Sequence, residues 1–324
     1  MTNKVEFSLN EKRQAALKAK TRKTAVYLAK YLLIFGIAFV IVYPLLVKLS
    51  VSFMSESDLS DLTVKWIPKH FSLDNYKKVL EALNIKKAFF NSLFYTVVIT
   101  FLQILACTLA AYGLARYPYP GSKIVLLLII FTLVVPPQTY MSAQYIEFRF
   151  FNPLGLVKLL RGTVGVNNTL WPFVIQAVLC QGLRNGLYIF LIYQYFRNLP
   201  KELEEAADVD GAGPLRAFFS VILANSVPIL VTVGVLSVVW QWNDNYNNSL
   251  LAGQLDFISI NVGNITSLLR ESAGVAQDHI AKDSLIMSAY NNAASMLMIA
   301  PIMLFFAVVQ RSFSANLSRT GIVG

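Results

Sequence analysis

The sequence predicts an all-α polytopic membrane protein with about six transmembrane helices and a short cytoplasmic helix between the fourth and fifth spans. Hydrophobic residues make up 56% of the 324 positions and charged residues only 14%, and the mean hydropathy is +0.54. The apolar residues form blocks of about 20, the length that a helix needs to cross a hydrocarbon core of about 30 Å. These blocks are apolar on every face, whereas a lipid-facing barrel strand alternates, so strands are excluded.

The six apolar blocks place the predicted spans at residues 24–53, 88–115, 124–145, 170–196, 218–242 and 285–310. Residues 1–23 precede them as a tail rich in Lys and Arg, and residues 311–324 follow them as a second tail. The basic stretch and the first apolar run are too long for a cleaved signal peptide, and no small-residue cleavage site follows. We therefore expect one membrane domain, residues 24–310, between two cytoplasmic tails.

The distribution of basic residues predicts on which side each loop lies. Six spans counted from a cytoplasmic amino terminus put both tails, the turn with Arg116 and Lys123, and the loop around residue 200 in the cytoplasm, in agreement with the positive-inside rule. The lysine-rich outer loop 55–87 weakens this signal, although acidic residues nearly balance its charge. We interpret the net charge of +10 as a topology signal and an attraction to anionic lipid. A nucleic-acid partner is not expected, because the aromatic residues lie in the spans rather than among the basic residues.

Motifs for catalysis, nucleotide binding and metal binding are missing from the sequence. Nothing matches GxxxxGK[ST], so the chain does not itself cradle nucleotide phosphates, and nothing matches HExxH or GxSxG. The only histidines, His70 and His279, lie far apart in predicted outer loops. Cys107 and Cys180 fall inside apolar spans, where a thiol usually behaves as a small hydrophobic group. We therefore expect no catalytic residue, no metal site and no redox function.

The spans also lack the ionisable group with which an ion-coupled carrier binds its coupling ion at mid-membrane. Apart from lysines near the ends of the first span, Arg184 is the only charged residue well inside a predicted span. The energy for any transport is therefore expected to come from another protein.

One acidic segment, PKELEEAADVDGAGP at residues 200–214, interrupts the apolar pattern and predicts a short cytoplasmic helix over residues 200–211. Pro200 suits the first turn of a helix, the acidic residues complement its positive end, and Gly211 suits its carboxyl-terminal stop. The helix is only about 16 Å long, too short to span a membrane. A solvated loop without further function is the alternative interpretation. The residues that share one helix face are Leu203, Ala206, Ala207 and Asp210.

The same segment resembles the EAA motif of binding-protein-dependent ABC importers, in which a Glu-Ala-Ala triplet is followed closely by Asp-Gly. The matching positions are Glu205, Ala206, Ala207, Asp210 and Gly211. Other stretches resemble the maltose-type carbohydrate permeases of that class. They are WIPKHFSLDNYKKVL at 66–80, NSLFYTVVIT at 91–100, QWNDNYNN at 241–248 and the terminal TGIVG. The resemblance therefore extends over most of the chain.

Two features depart from that family's pattern. The family often has a proline after the apolar run behind the motif, where this chain has Ala224, with Pro228 further on. This departure leaves open whether the fifth helix is kinked. Residues 151–168 form a longer segment than usual and add outer surface of unassigned use.

The resemblance implies a membrane-spanning subunit of an ATP-driven importer in the bacterial plasma (inner) membrane. Two permease subunits form the pathway, and the family suggests that the second is a different chain. An extracytoplasmic binding protein delivers a sugar or oligosaccharide, and a dimer of cytoplasmic ATPases binds ATP and Mg. This chain is then not an enzyme and binds no cofactor itself. Each permease inserts its EAA helix into a groove on one ATPase, so that nucleotide-driven closure rotates the spans.

Arg184, with Gln181 and Asn185, is the first candidate for the substrate pathway. A guanidinium at membrane depth is costly, so it is expected to face a partner or an aqueous cavity. Either it lines the pathway and binds sugar hydroxyls or an acidic sugar through its planar donors, or it hydrogen-bonds carbonyls freed by a helix break such as one near Pro136. Both interpretations remain open from the sequence.

Trp242, Asn243 and Tyr246, at the outer end of the fifth span, are the second candidate. Aromatic rings interleaved with amides suit sugar binding, but an aromatic belt at the membrane surface produces the same pattern. In the third span, the run 136–138 (Pro-Pro-Gln) is expected to break the helix, either beside a cavity or at the membrane surface. Gly182 and Gly186 have the GxxxG spacing that permits close helix contact.

Other functions remain as alternatives at this point. An ABC importer of a non-sugar solute such as a peptide has the same motif. An ion-coupled secondary carrier needs the mid-span carboxylate that the sequence lacks, and a membrane enzyme needs a catalytic constellation that is also missing.

Overall fold

The structure, a computed structural model, describes residues 2–273 and 280–319, and most of these are helical. The described residues form no β-strand, and the isolated bridge found among them pairs Met54 with Phe71. The predicted all-helical fold is therefore confirmed. The predicted outer-loop position of His279 and the family-like terminus at 320–324 fall outside the described residues.

Helices of very different lengths follow one another along the described residues. In chain order they are α1 (Thr2–Ser52), α2 (Glu56–Ser60), α3 (Asp74–Ala82), α4 (Ile85–Arg116), α5 (Ser122–Val134), α6 (Met141–Arg149), α7 (Leu156–Arg161), α8 (Trp171–Val178), α9 (Asn185–Asn198), α10 (Glu202–Val209), α11 (Pro214–Ala217), α12 (Leu223–Asn225), α13 (Val227–Asn243), α14 (Tyr246–Ala252), α15 (Ile258–Gly263), α16 (Ile265–Ala273) and α17 (Ile280–Arg319). Short 3-10 turns cover Pro137–Thr139 and Pro153–Gly155, and a π turn covers Phe218–Ile222. The chain divides into two compact units, Met1–Asn75 with His279–Ala293 and Tyr76–Asp278 with Ala294–Gly324.

The first unit begins with α1, which is continuous from Thr2 and therefore starts well before the predicted first span at residue 24. Residues 2–23 are rich in Ala, Glu, Lys, Gln and Arg and contain neither Pro nor Gly, so nothing ends the helix before the span begins. Within the span, large apolar side chains from Val26 to Phe39 are exposed on all sides of the helix. A helix with apolar residues all round suits a lipid environment.

The segment that follows α1 in the first unit is fixed by buried polar groups. The Asp58 carboxylate, 2% exposed, accepts hydrogen bonds from the backbone N–H of His70 and from its ring Nδ1, each at 2.8 Å. These bonds, the backbone one above all, hold the pKa of the Asp58 carboxyl below its ordinary value. The side-chain amide of Asn75 donates to the carbonyls of Ser52 and Met54 at 3.0 and 2.8 Å. His70 is thus engaged in fixing this segment.

In the second unit, α4 is the central element, and α8, α9 and α13 pack against it. The main apolar core joins Cys107 and Ala111 of α4 to the inner face of α9 and to residues that follow α10. Its other members include Tyr188, Ile192, Phe196, Phe218, Ile222, Ile229 and Val233. A second cluster surrounds Tyr95, whose ring centre lies 5.0 Å from that of Phe173.

Three of the described helices are long and apolar enough to cross a membrane: Lys20–Ser52, Ile85–Arg116 and Ser284–Gln310. A fourth crossing is obtained if Pro214–Asn225 and Val227–Asn243, which meet at a bend of 72°, count as one span. The predicted third and fourth spans are both interrupted, because α5 ends at Val134 and residues 179–184 separate α8 from α9. The six-span topology therefore stays a prediction.

The bend in the predicted fifth span forms without a proline at position 224. The chain turns at Ser226, directly before α13, which carries Pro228 in its first turn. Side-chain hydroxyls satisfy the freed carbonyls: the Tyr195 hydroxyl donates to the Asn225 carbonyl, and the Ser226 hydroxyl to that of Ile222, each at 2.6 Å. Such bonds make a broken helix tolerable at membrane depth.

Candidate functional site

Helix α10 is the acidic segment that stands out in the sequence, and it lies within the predicted range 200–211. Its first turn carries three acidic residues, which complement the positive end of the helix dipole. Gly211 follows it with φ +74°, in the left-handed region. The N–H of Gly211 donates to the Asp208 carbonyl at 3.0 Å, and the N–H of Ala212 to the Ala207 carbonyl at 2.9 Å. The helix thus ends in a glycine turn that satisfies its last carbonyls.

The two sides of α10 face different surroundings. On the inner side, Ala207 is 6% exposed and Leu203 packs against the core formed by α4 and α9. On the outer side, Glu205 and Ala206 are exposed, and Val209 is 87% exposed. The predicted common face of Leu203, Ala206, Ala207 and Asp210 is therefore divided. The protein's own core covers Leu203 and Ala207, whereas Ala206 and Asp210 remain exposed.

A cavity of about 480 Å³ lies in the second unit, between the interrupted third and fourth predicted spans. Residues 131–147 form one side of it and residues 180–186 the other. The wall is largely apolar, with Phe131 and Leu133 among its residues, and it carries a few polar side chains. These are Thr132, Tyr140, Gln144, Glu147, Gln181, Arg184 and Asn185. An apolar pocket with a small number of convergent polar groups is the usual form of a small-molecule site.

Arg184 lies at the break between α8 and α9. It is the residue before α9 and has φ +63°, an uncommon conformation for a residue with a side chain. Its guanidinium carbon lies 4.3 Å from the ring centre of Trp240 on α13. The prediction of a lone arginine inside a continuous apolar helix is therefore wrong: the helix is interrupted, and the charge rests on an aromatic ring at the edge of the cavity.

A buried polar network centred on Gln103 of α4 holds the break in place. The side-chain nitrogen of Gln103 donates to the Leu183 carbonyl at 3.0 Å and to the side-chain oxygen of Asn185. Its oxygen accepts from the Ser237 hydroxyl at 2.7 Å and from the Gln241 amide at 3.1 Å, both on α13. The Gln103 amide thus uses two donors and two acceptor positions, which is its full capacity. The network joins α4, α13 and the break.

Replacement of Gln103 by Leu is expected to lower the midpoint of thermal unfolding in detergent. The Leu183 carbonyl, Ser237 and Gln241 each lose their hydrogen bond to Gln103, and each interhelical hydrogen bond inside a membrane contributes about 0.6–1.7 kcal/mol. Gln194→Leu is the matched control, because Gln194 is exposed on α9. Equal midpoints for the two variants would contradict the importance assigned to this network.

The other predicted pathway residues do not meet in one place. Gln181 and Asn185 line the cavity together with Arg184. Trp242, in contrast, is 4% exposed and its indole N–H donates to the Met298 carbonyl of α17 at 3.1 Å. Asn243 and Tyr246 are exposed at the end of α13 and the start of α14, and neither lines the cavity. Trp240, rather than Trp242, is the indole beside Arg184.

The predicted GxxxG pair and proline break are both associated with the cavity. Gly182 lies within the break and Gly186 lies on α9, so the two are not on one helix. A Cβ at Gly186 would lie 2.5 Å from the Thr132 hydroxyl and 3.0 Å from the Ile129 carbonyl, so this glycine lets α9 approach α5 closely. Pro137, which opens the turn after α5, lines the cavity. Of the two interpretations of the proline break, the one beside a cavity matches this position.

Sequence reasoning missed Gln103, Ser237 and Gln241, although a signal for them was present. Gln103 lies three residues after Thr100 within an apolar span, and Ser237 and Gln241 are four residues apart in another. Polar side chains at this spacing share one helix face. Such a face is expected to point toward other helices, since exposure of polar groups to lipid is costly.

Among the described residues, no group of three or more His, Cys, Asp or Glu side chains is arranged to hold a metal ion. Cys107 and Cys180 are free thiols. Cys107 is buried on α4, and Cys180 lies in the break at the cavity wall.

Comparison with known families gives one match that covers most of the second unit. The model of the family described as "Binding-protein-dependent transport system inner membrane component" matches residues 103–320. The matched region begins at Gln103 and includes the cavity and helix α10.

Two curated relatives are similar over most of this chain. The alpha-glucoside transport system permease protein AglG of Rhizobium meliloti (strain 1021) is 31% identical over 241 residues, which are 74% of this chain and 58% of AglG. The chain thus spans less than two thirds of the length of AglG. The osmoprotective compounds uptake permease protein GgtD of Synechocystis sp. is 33% identical over 254 residues, 78% of this chain and 76% of GgtD.

A solved structure has a similar fold. It is a chain from the crystal structure of a bacterial ABC transporter involved in the import of the acidic polysaccharide alginate. The TM-score is 0.67 at 22% sequence identity, and the match covers 88% of this chain and 95% of that chain.

Proposed function

Because the chain belongs to the family of binding-protein-dependent transport system inner membrane components, we propose that it forms half of the translocation pathway of an ATP-driven importer for a sugar or oligosaccharide. The family makes it a transport component and not an enzyme. The observation that carries the proposal is helix α10, which is fixed to the core on one side and exposes the Glu205–Ala206 part of its motif on the other.

Helix α10 is suited to receive a displacement from an ATPase. Its outer side presents a carboxylate, a methyl group and the exposed side chain of Val209, a combination that fits a groove on a partner. Its inner side rests on the core, so a displacement passes to α4 and α9 instead of being absorbed by a flexible loop. We therefore assign ATPase coupling to the motif residues Glu205, Ala206, Ala207, Asp210 and Gly211, with Ala207 acting from the inner side.

The proposed partners are those of a binding-protein-dependent importer. They are a second permease subunit, a pair of ATPases, an extracytoplasmic solute-binding protein and the lipid bilayer of the bacterial inner membrane. ATP and Mg bind to the ATPases, since this sequence contains no phosphate-binding loop of its own.

The cavity is proposed as part of the substrate pathway. Gln181, Arg184 and Asn185 approach it from the break, and Gln144 and Glu147 approach it from the opposite side. Amides, a carboxylate and a guanidinium provide the donors and acceptors that hydroxyl groups require, and the apolar wall suits the C–H faces of a sugar ring. Asn243 and Tyr246 remain candidates for contacts outside the cavity, whereas the burial of Trp242 argues for a packing function.

The names of similar proteins support a carbohydrate as the substrate and suggest a second candidate substrate. AglG is named for alpha-glucosides, and the similar structure belongs to an importer of an acidic polysaccharide. GgtD is named for osmoprotective compounds, so a small osmoprotective solute is the second candidate. An ion-coupled carrier is disfavoured, because the matching family depends on a binding protein.

The topology that suits this function has six crossings and both termini in the cytoplasm, with each interrupted span making one crossing. We expect a cysteine at position 60 to react with a membrane-impermeant thiol reagent in intact cells. A cysteine at position 123 should react only after permeabilisation, because the positive-inside rule places it in the cytoplasm. Both Ser60 and Lys123 are exposed, and Cys107 and Cys180 are replaced beforehand. Labelling of position 123 in intact cells would contradict the topology.

The function is tested by purification of the chain in mild detergent followed by reconstitution into vesicles. An ATPase and a second permease should co-purify, and ATP with the binding protein should drive uptake of an oligosaccharide. If the vesicles take up a small osmoprotectant but no sugar, the osmoprotectant replaces the sugar as the proposed substrate. Uptake that follows an ion gradient and ignores ATP would refute the proposal.

A further inference from the structure

Arg116, the last residue of α4, is bound to the α10 region at two points. Its side chain is 5% exposed, and its Nε lies 3.1 Å from the Oε1 atom of Glu204. Its Nη2 donates a hydrogen bond of 2.9 Å to the backbone carbonyl of Leu199, which precedes α10. One guanidinium therefore contacts both the helix and the chain that leads into it. The sequence alone indicates only a topology signal for Arg116.

The surroundings of Arg116 make this arrangement specific. One turn earlier on α4, the ring of Tyr112 lies 4.6 Å from that of Phe218 and 5.6 Å from that of Phe196, between ring centres. A charge buried beside such a cluster is costly unless it is paired. The planar guanidinium donates a hydrogen bond to the Leu199 carbonyl through Nη2 and forms an ion pair with Glu204 through Nε. The compact ammonium of a lysine does not reproduce this arrangement.

Glu204 is placed so that the ion pair leaves the outer side of α10 open. It adjoins the inward-facing Leu203 and the exposed Glu205, and its side chain is 24% exposed. The pair with Arg116 therefore holds the inner side of the helix, while Glu205 and Ala206 remain accessible to a partner. The inner side of α10 thus binds the rest of the protein, and its outer side is available to a partner.

Helix α4 leads from Arg116 toward the cavity. Gln103 lies about 20 Å away along the same helix at 1.5 Å per residue, and it binds the Leu183 carbonyl and the Asn185 side chain at the cavity wall. We infer that Arg116 is a positioning residue that transmits displacement of α10 to α4 and, through Gln103, to the break beside the cavity. This inference rests on the proposed function, because it takes α10 as the contact with the ATPase.

The test measures sugar imported per ATP hydrolysed by the complete complex in vesicles. Arg116→Gln removes the charge and should leave an assembled complex that hydrolyses ATP but imports at least about fivefold less per ATP, the low end of typical coupling between sites. Arg116→Lys keeps the positive charge but lacks the planar guanidinium, and it should give an intermediate ratio of sugar imported to ATP hydrolysed. Glu204→Gln should lower the ratio as well, and the double variant with Arg116→Gln should be little worse than either single variant, since both remove one interaction.

Lys123→Gln is the matched control, because it removes an exposed positive charge close to the same turn and should import normally. A normal ratio in Arg116→Gln overturns the inference. If that variant does not assemble, Arg116→Lys and Glu204→Gln decide: normal ratios in both overturn the inference, and a reduced ratio in either supports it.

Glu205→Lys distinguishes an error in the proposed function from an error in the assignment of Arg116. If α10 is not the ATPase contact, this variant imports normally too; if only the function of Arg116 is wrong, Glu205→Lys is impaired while Arg116→Gln is normal.

Discussion

Replacement of Gly211 by Val is expected to abolish most import while leaving the protein folded and inserted in the membrane. Gly211 has φ +74°, and a Cβ built there meets no atom within 4 Å, so the effect comes from the backbone alone. A residue with a side chain in this conformation costs about 1–2 kcal/mol, and a β-branched one more. That cost corresponds to about a fivefold to thirtyfold loss of the native turn relative to alternatives, and import should fall accordingly.

A matched control lies two residues further along the same loop. Gly213 also has open space around it, but its φ of −64° and ψ of 164° suit any residue before the proline that follows. Gly213→Val should therefore import normally. ATP-driven uptake is measured for both variants at equal amounts of inserted protein. Equal uptake by the two would mean that the conformation at the end of α10 does not matter for coupling.

Replacement of Arg184 by Gln is expected to give an assembled complex with stimulated ATP hydrolysis and strongly reduced import. Gln keeps hydrogen-bonding capacity, but it loses the charge in the cavity and the contact with the Trp240 ring at 4.3 Å. A hydrogen bond to a charged group contributes about 1.5–3 kcal/mol, and about 1.4 kcal/mol is a factor of ten, so uptake should fall at least about tenfold. The loss should be greatest for an acidic oligosaccharide, whose carboxylate pairs with the guanidinium.

Arg197→Gln provides the control for this experiment. Arg197 lies on α9, the helix that Arg184 precedes, and it too is near an aromatic ring, that of Tyr193 at 5.8 Å. Unlike Arg184, it is exposed and does not line the cavity. Its replacement should leave uptake unchanged. If Arg184→Gln instead lowers the unfolding midpoint or prevents assembly whatever the solute, Arg184 stabilises the break, and its assignment to the pathway is withdrawn.

Helix α10 was predictable because its signals are local. Acidic residues at its start, Ala207 four residues after Leu203, and Gly211 after its end all act within one or two turns. The division between an inner and an outer side was not predictable in the same way. Whether Ala206 or Ala207 is buried depends on where α4 and α9 lie, and no local pattern contains that information.

The two interrupted spans also differ in whether the cause of their structure is local in the sequence. The break after α5 has a local cause, since Pro136 and Pro137 cannot continue the helix, and the sequence predicts it. The break before α9 has no proline. It persists because Gln103, some 80 positions away along the chain, binds the Leu183 carbonyl. A helix end that a distant amide stabilises leaves no local stop signal in the sequence. The apolar run around it is therefore predicted as one continuous helix, with Arg184 inside it.

The central claim, that α10 is the contact through which an ATPase drives this chain, is tested most directly by crosslinking from adjacent positions of that helix. Single cysteines replace Ala206, which is exposed, and Ala207, which is 6% exposed, in a chain without Cys107 and Cys180. Each carries a short photoactivatable group in the purified complex. If α10 is that contact, position 206 gives a covalent product with the ATPase, and position 207 gives little or none. No product from position 206 in a complex that retains its ATPase, or equal products from both positions, would contradict the claim.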